Sequence, residues 1–184
     1  ITGVGQQIDM ALMDVATSVM ANQAMNYLVS GQSPGLMGNA HPNLAPYAVF
    51  DCADGWIILA TGNDGQYRRL CAILGLDDMD GAAEFATNAL RIANRTEMTR
   101  RITAATLRWS KADLLAACEA QGVPAGPIND LAEVFADPQV LARGLQISPD
   151  GIPGVRSPMT FSGATLALDR PAPKLGEHQD EVLG

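Results

Sequence analysis

Gly38-Asn39-Ala40-His41-Pro42-Asn43-Leu44-Ala45-Pro46-Tyr47 runs directly into Ala48-Val49-Phe50-Asp51-Cys52-Ala53-Asp54-Gly55-Trp56-Ile57-Ile58-Leu59-Ala60. The second stretch decides the fold. Two strand-like runs, Tyr47 to Asp51 and Trp56 to Thr61, flank Cys52-Ala53-Asp54-Gly55, and Asp-Gly between such runs is a strong hairpin signal. Ahead of the hairpin lies a polar loop, stiffened by Pro42 and Pro46, that carries one of only two histidines in the chain. Polar groups on a loop held by a rigid element are a common way to build a binding site.

Downstream, Gly62-Asn63-Asp64-Gly65 predicts the start of a helix over Gln66 to Leu74, with Asn63 or Asp64 as N-cap and Gly75 as terminator. Asp77 to Gly81 reads as a turn and Ala82 to Asn88 as a short helix. Helices are expected over Arg91 to Leu107 and Lys111 to Gln121, the second capped by Ser110 with Asp113 at N3. Val123 to Ile128 reads as a stiff extended segment. Asn129 is expected to cap a helix from Asp130 to Phe135, and Asp137 another through Arg143. Leu145 to Ile147, Val155 to Phe161 and Thr165 to Leu168 are strand candidates, and Glu177 to Leu183 starts a last helix. Upstream, Gly31 to Gly38 is a linker by composition. Met13 to Val29 has helical periodicity, and Gln7 to Leu12 alternates like a short strand. Strands, then helices, then strands read as α+β.

At 184 residues the chain suffices for one ordinary domain or two small ones, and 47% apolar residues supply a core. A net charge of -8 argues against nucleic acid or an anionic membrane as main partner. Cys52, Cys71 and Cys118 are an odd, widely spaced set without CxxC, so neither a zinc site nor a disulfide framework is expected. Reduced thiols point to a cytoplasmic protein. No apolar run approaches the roughly eighteen residues of a membrane span. The chain opens at Ile1 and stops at Gly184 within an apolar rhythm, so both ends read as cut from a longer polypeptide.

Few residues suggest chemistry. His41 is the only histidine in a plausible site loop and is suited to exchange a hydrogen bond with a substrate oxygen; its bland alternative is an exposed loop histidine. Asn39 and Asn43 are potential hydrogen-bonding partners for a substrate, against ordinary turn chemistry. The 62–65 segment resembles a phosphate-binding helix start, but Asp64 would repel an anion, which favours a plain cap. Asp9 and Asp14 occupy a strand and a helix start, so structural roles are expected. Arg91, Arg95, Arg100 and Arg101 with Glu97 read as a solvated helix face with a Glu97–Arg101 pair, the alternative being a clamp for a phosphate.

The ordered set of motifs is more specific than any one of them. It comprises Thr2-Gly3-x-Gly5-Gln6-x-Ile8-Asp9, Gly38-Asn39-x-His41-Pro42, Ala45-Pro46-Tyr47, Gly62-Asn63-Asp64-x-Gln66, Asn94-Arg95, Gly122-Val123-Pro124-x-Gly126-Pro127-Ile128, Asp137-Pro138, Pro158-Met159-x-Phe161-Ser162-Gly163 and Leu175-Gly176-Glu177-His178. Over its whole length the chain resembles the C-terminal half of the class III CoA-transferases, which include carnitine CoA-transferase, formyl-CoA transferase and α-methylacyl-CoA racemase.

The resemblance implies an interlocked homodimer whose subunits pair a Rossmann-like large domain with a small α+β domain. Residues 1–30 would leave the large domain, 31–47 would be linker and active-site loop, 48–130 the small domain, and 131–184 the return to the large domain. The fold expected is thus a small α+β domain flanked by segments of an incomplete Rossmann-like one. The resemblance also implies an acyl-CoA thioester and a carboxylic acid as substrates, with coenzyme A entering as substrate rather than as a resident cofactor. An Asp nucleophile in the N-terminal half of the same protein would carry the chemistry, so no catalytic residue and no metal ligand is assigned to this chain. What carries over is the 38–47 loop, where formyl-CoA transferase has a glycine-rich lid; here Asn39, His41, Pro42, Asn43 and Tyr47 would line the substrate. Asn63-Asp64-x-Gln66 favours transferase over racemase. A binding or assembly module without catalysis is the alternative from another class.

Overall fold

The computed structural model describes residues 3–184; Ile1 and Thr2, and so the first position of the Thr2-Gly3-x-Gly5 motif, lie outside the described residues. Two compact units divide the chain, one ending at Pro127 and one running from Ile128 to Gly184.

The first unit is built on the expected hairpin. β1 (Tyr47–Cys52) pairs antiparallel with β2 (Gly55–Ala60), Tyr47 facing Ala60 and Cys52 facing Gly55, so Ala53-Asp54 forms the two-residue turn. β3 (Ala125–Ile128) completes a three-stranded sheet in the order β1-β2-β3. Alternation buries Phe50, Cys52, Ile57 and Leu59 and leaves Asp51 and Trp56 exposed, as a sheet covered on one face requires. The cover comes from α3 (Asp64–Leu74), α6 (Arg95–Thr106) and α7 (Lys111–Ala120). These helices send Leu70, Met98, Ile102 and Leu114 into one core.

The helix ends follow local rules. Asn63 Oδ1 accepts the Gln66 backbone N–H at 2.9 Å, and Gly75 closes α3 in the left-handed conformation. Ser110 Oγ accepts the Asp113 N–H at 3.1 Å. Between these helices lie α4 (Asp77–Asp80), a 3-10 turn at Ala83–Phe85 and α5 (Asn88–Ala93). The turn expected at Asp77 to Gly81 is therefore one turn of helix. The helix expected over Ala82 to Asn88 is split instead, because Thr87 caps α5 through its hydroxyl. The helix expected from Arg91 breaks at Asn94, whose side-chain amide donates to Glu84 O and Leu90 O. Such side-chain bonds compete with the helical ladder.

Ahead of the sheet, α1 (Leu12–Val19) and α2 (Ala21–Ser30) replace the single helix expected over Met13 to Val29. The break falls at Ala21, at φ 42°, just after Thr17 turns its hydroxyl back onto Met13 O at 2.8 Å. Gln7 to Leu12 is not a strand before the helix begins; its alternating side chains find no neighbour to pair with, and Ile8 and Met10 are exposed. Neither helix buries a residue.

In the second unit, α8 (Leu131–Ala136) starts with a reciprocal capping box between Asp130 and Glu133, so Asp130 rather than the expected Asn129 is the cap. Asp137 caps α9 (Pro138–Ala142) as expected. β4 (Gln146–Ile147) and β5 (Gly154–Val155) make a small antiparallel pair. The Arg156 guanidinium donates to Arg143 O, Gly144 O and Ser157 O, which ties the base of that pair. The strand expected through Phe161 stops at Val155, and Thr165 to Leu168 is irregular; among the described residues no strand pairs with 156–161 or 165–168. α10 (Gln179–Leu183) ends the chain. The architecture is α+β, as the pattern of elements implies.

Candidate functional site

The 38–47 loop is fastened at nearly every peptide. At its start, Asn39 Oδ1 accepts the Val49 N–H at 3.0 Å. His41 donates its backbone N–H to Tyr47 O at 2.9 Å, and its ring stacks on the Tyr47 ring with centroids 5.0 Å apart. The Asn43 N–H donates to His41 Nδ1 at 3.1 Å. Nδ1 is thus the acceptor, which assigns the ring proton of neutral His41 to Nε2. The imidazole is fixed by stacking and by one hydrogen bond, with Nε2–H as its remaining donor.

The loop carbonyls are held from behind. Arg95 donates to Pro42 O at 3.2 Å, Asn88 Nδ2 to Asn43 O at 2.8 Å and Arg91 Nε to Ala45 O at 2.7 Å. Thr61 holds Pro46 O through both its N–H and its hydroxyl, at 3.0 and 2.7 Å. Asn88 also accepts the Ala45 N–H at 3.0 Å, gripping the loop at two points. The Asn43 side chain exchanges hydrogen bonds with Asn26 of α2, at 3.2 and 3.4 Å. The Asn39 and Asn43 side chains therefore serve the loop's own geometry, while His41, Pro42 and Tyr47 are half-buried and present its remaining surface. All five expected site residues come together in one loop.

Arg91 was expected on a solvated face and is not there: it is 1% exposed. Besides Ala45 O it donates to Phe85 O at 3.0 Å and to Asp64 Oδ1 at 2.6 Å, and its guanidinium lies 4.4 Å over the Tyr67 ring. A guanidinium can be buried this way because its N–H fork meets two carbonyls and a carboxylate while its face lies against the Tyr67 ring. Asn88 and Arg91 belong to α5 and Arg95 opens α6 beyond the break at Asn94, so helical spacing alone does not single the three out. The neighbouring ion pairs also differ from expectation. Glu97 pairs with Arg100, at 2.7 and 2.6 Å, and Arg101 with Asp78. The Arg100 hydrogen bonds hold the Glu97 carboxyl below its usual range. With Arg91 buried and Arg95 bonded to the loop, these arginines are not a ready phosphate clamp. The 62–65 segment is a plain cap as well, since Gln66 Oε1 closes it by accepting the Gly62 N–H at 2.7 Å.

Burial pushes the Cys71 and Cys118 thiols up to about 11, and Cys52 is raised for the same reason. Protonated, buried thiols pack rather than react. Among the described residues there is no cluster of three or more metal-ligating side chains, and no helix is long and apolar enough to cross a membrane.

Residues 1–179 match CoA-transferase family III. The chain belongs to that family. It is 56% identical, over 99% of its length, to a succinate–glutarate CoA-transferase of Agrobacterium fabrum, of which it covers 47%. The human succinyl-CoA:glutarate CoA-transferase is 32% identical over 99% of the chain, which covers 43% of that protein. A crystal structure of a CAIB/BAIF family protein from Brucella suis superposes with a TM-score of 0.83 at 53% identity, covering 99% of this chain and 48% of that one. This member of CoA-transferase family III thus spans less than half the length of the relatives it matches.

Proposed function

We propose that the protein carrying this chain is a CoA-transferase that moves CoA from an acyl-CoA thioester to a short dicarboxylic acid, and that the 38–47 loop walls the acyl-thioester pocket. The observation that carries the reading is the 56% identity to a succinate–glutarate CoA-transferase across 99% of the chain. The loop supports it: a neutral Nε2–H on a fixed imidazole is a donor suited to a carboxylate or thioester oxygen.

The reactive group is an Asp carboxylate contributed by polypeptide outside these 184 residues. It attacks the thioester carbonyl and expels CoA thiolate, leaving a mixed anhydride. The thiolate attacks the aspartyl carbonyl, which releases the donor carboxylate and leaves an aspartyl-CoA thioester. The acceptor carboxylate attacks that thioester and frees the thiolate again. The thiolate then attacks the acceptor's acyl carbon, giving the new acyl-CoA and regenerating Asp. His41 offers a hydrogen bond to the substrate oxygens through these steps, Pro42 and Tyr47 shape the wall, and Asn39 and Asn43 frame it.

In the complete enzyme, residues 1–30 and 131–184 belong to a large Rossmann-like domain, 31–47 join it to the small domain, and 48–130 form that small domain. The exposed apolar side chains of α1 and α2, Leu12, Met13, Val19 and Leu28 among them, are covered there by the N-terminal half and by the second subunit of an interlocked cytoplasmic homodimer.

The test is full-length enzyme incubated with succinyl-CoA and glutarate, with mass spectrometry of the CoA esters. Glutaryl-CoA is expected, together with an aspartyl-CoA thioester that borohydride reduces to a side-chain primary alcohol with release of CoA. Failure with every donor and acceptor pair, coupled to epimerisation of a 2-methylacyl-CoA, would identify a racemase instead. The 184-residue chain alone is expected to transfer no CoA.

A further inference from the structure

The loop's backbone is held by three side chains that belong to one short stretch of sequence. Asn88, Arg91 and Arg95 take Asn43 O, Ala45 O and Pro42 O respectively. Asn88 and Arg91 share one side of α5, and Arg95, the first residue of α6 beyond the break at Asn94, reaches the same loop. Arg91 is buried, and the Asp64 carboxylate and Tyr67 ring fix its plane. Asn88 grips the loop at both an N–H and a carbonyl, so the peptide of Asn43 cannot rotate without breaking a bond. That peptide's neighbour, the Asn43 N–H, is the donor that makes His41 Nδ1 an acceptor. The chain of contacts therefore runs from Asn88 through the Asn43 backbone to the acceptor nitrogen of the imidazole, Nδ1, and so leaves the proton on Nε2.

We propose that Asn88, Arg91 and Arg95 form a positioning clamp that sets the orientation and tautomer of His41 for CoA transfer. The inference rests on the reading that the 38–47 loop walls the substrate site. The three are positioning residues: each acts on the backbone of the loop, and the imidazole is what meets the substrate. Arg91 sits deepest and fixes the end of the loop at Ala45, while Asn88 and Arg95 set its middle. A fixed loop here contrasts with a mobile lid, because its carbonyls are already paired before substrate arrives.

Two readouts separate the clamp from general stability. The first is the side-chain nitrogen spectrum of His41 in the 184-residue chain, where His178 is the only other histidine and is assigned by His178→Gln. The second is steady-state CoA transfer by the full-length enzyme. Asn88→Asp keeps the acceptor for the Ala45 N–H, loses the donor to Asn43 O and places a carboxylate in the first turn of α5, where the helix dipole tolerates it. Arg95→Met keeps the aliphatic stem and loses the donor to Pro42 O. Arg91→Lys is the third variant and keeps the charge.

The wild type is expected to show one acceptor nitrogen and one protonated nitrogen at His41. In Asn88→Asp and Arg95→Met the two tautomers should average, with the melting transition retained. Their kcat should fall by roughly tenfold or more with KM for the acyl-CoA within about twofold, as for misplacement of a group near the reacting atoms. Unchanged His41 signals in both variants would overturn the clamp. So would averaged signals with undiminished kcat, since the loop's order would then have no part in the reaction. A wild-type enzyme that transfers no CoA brings down the functional reading, and the imidazole signals alone then judge the clamp's hold on His41.

Discussion

Residues 45–123 and residues 4–30 are both rich in apolar side chains, yet they use them in opposite ways. Every side chain that is buried among the described residues falls in the first segment. In the second, α1 and α2 form with regular helical hydrogen bonding while Leu12, Val19 and Leu28 remain 70% or more exposed. Helix formation there is local, and the apolar face it creates stays exposed among the described residues. In 45–123 the same residue types close a core beneath a three-stranded sheet. Stability of the chain should therefore track one segment and be nearly blind to the other.

The sharpest way to break that contrast is in the core. Ile57→Ala removes a fully buried side chain and should lower stability by about 3 kcal/mol in urea unfolding. A loss below about 1 kcal/mol would mean that the sheet is not the centre of the fold. Arg91→Met comes next. The Asp64 carboxylate is half exposed and can hydrate itself, so the cost falls on the Ala45 and Phe85 carbonyls left without donors. That cost should be about 2 kcal/mol, and native-state hydrogen exchange should report opening around 43–47 before the helices of the core. Asn63→Ala deletes the α3 cap and should cost about 1 kcal/mol in the same unfolding measurement. The smallest effect should be Leu28→Ala, within about 0.5 kcal/mol for the chain alone. In the full-length enzyme the same substitution should cost several times more, and equal small losses in both would mean that α2 stays uncovered there too.

What the sequence disclosed follows the same divide between local and distant causes. The Asp54-Gly55 hairpin, the Asn63 cap, the Gly75 stop and the Ser110–Asp113 pair each involve residues within four positions of one another, and each was legible. Misreadings arose where a side chain chose a partner that spacing did not show. Thr87 and Asn94 broke helices that periodicity ran together. Arg91 looked like one more arginine on a wet face, because burial of a guanidinium depends on Phe85, Asp64 and a loop 46 residues away in sequence. Gln7 to Leu12 alternated like a strand, but alternation cannot supply the neighbouring strand that pairing needs. Of the candidate site, the polar proline-stiffened loop and its histidine were legible as a loop. Its hidden part was the set of donors behind it, which bind main-chain atoms and leave no motif.

The mutual amide contact of Asn26 with Asn43 carries a consequence of its own. Asn26 rides on α2, the helix with an unmet apolar face, while Asn43 supplies the proton donor to the imidazole. A surface that docks on α2 and shifts it by even a fraction of an ångström must drag or release that amide. Under the proposed function, assembly on α2 and substrate chemistry at His41 would be mechanically geared, and their energetic coupling would have to act equally in both directions.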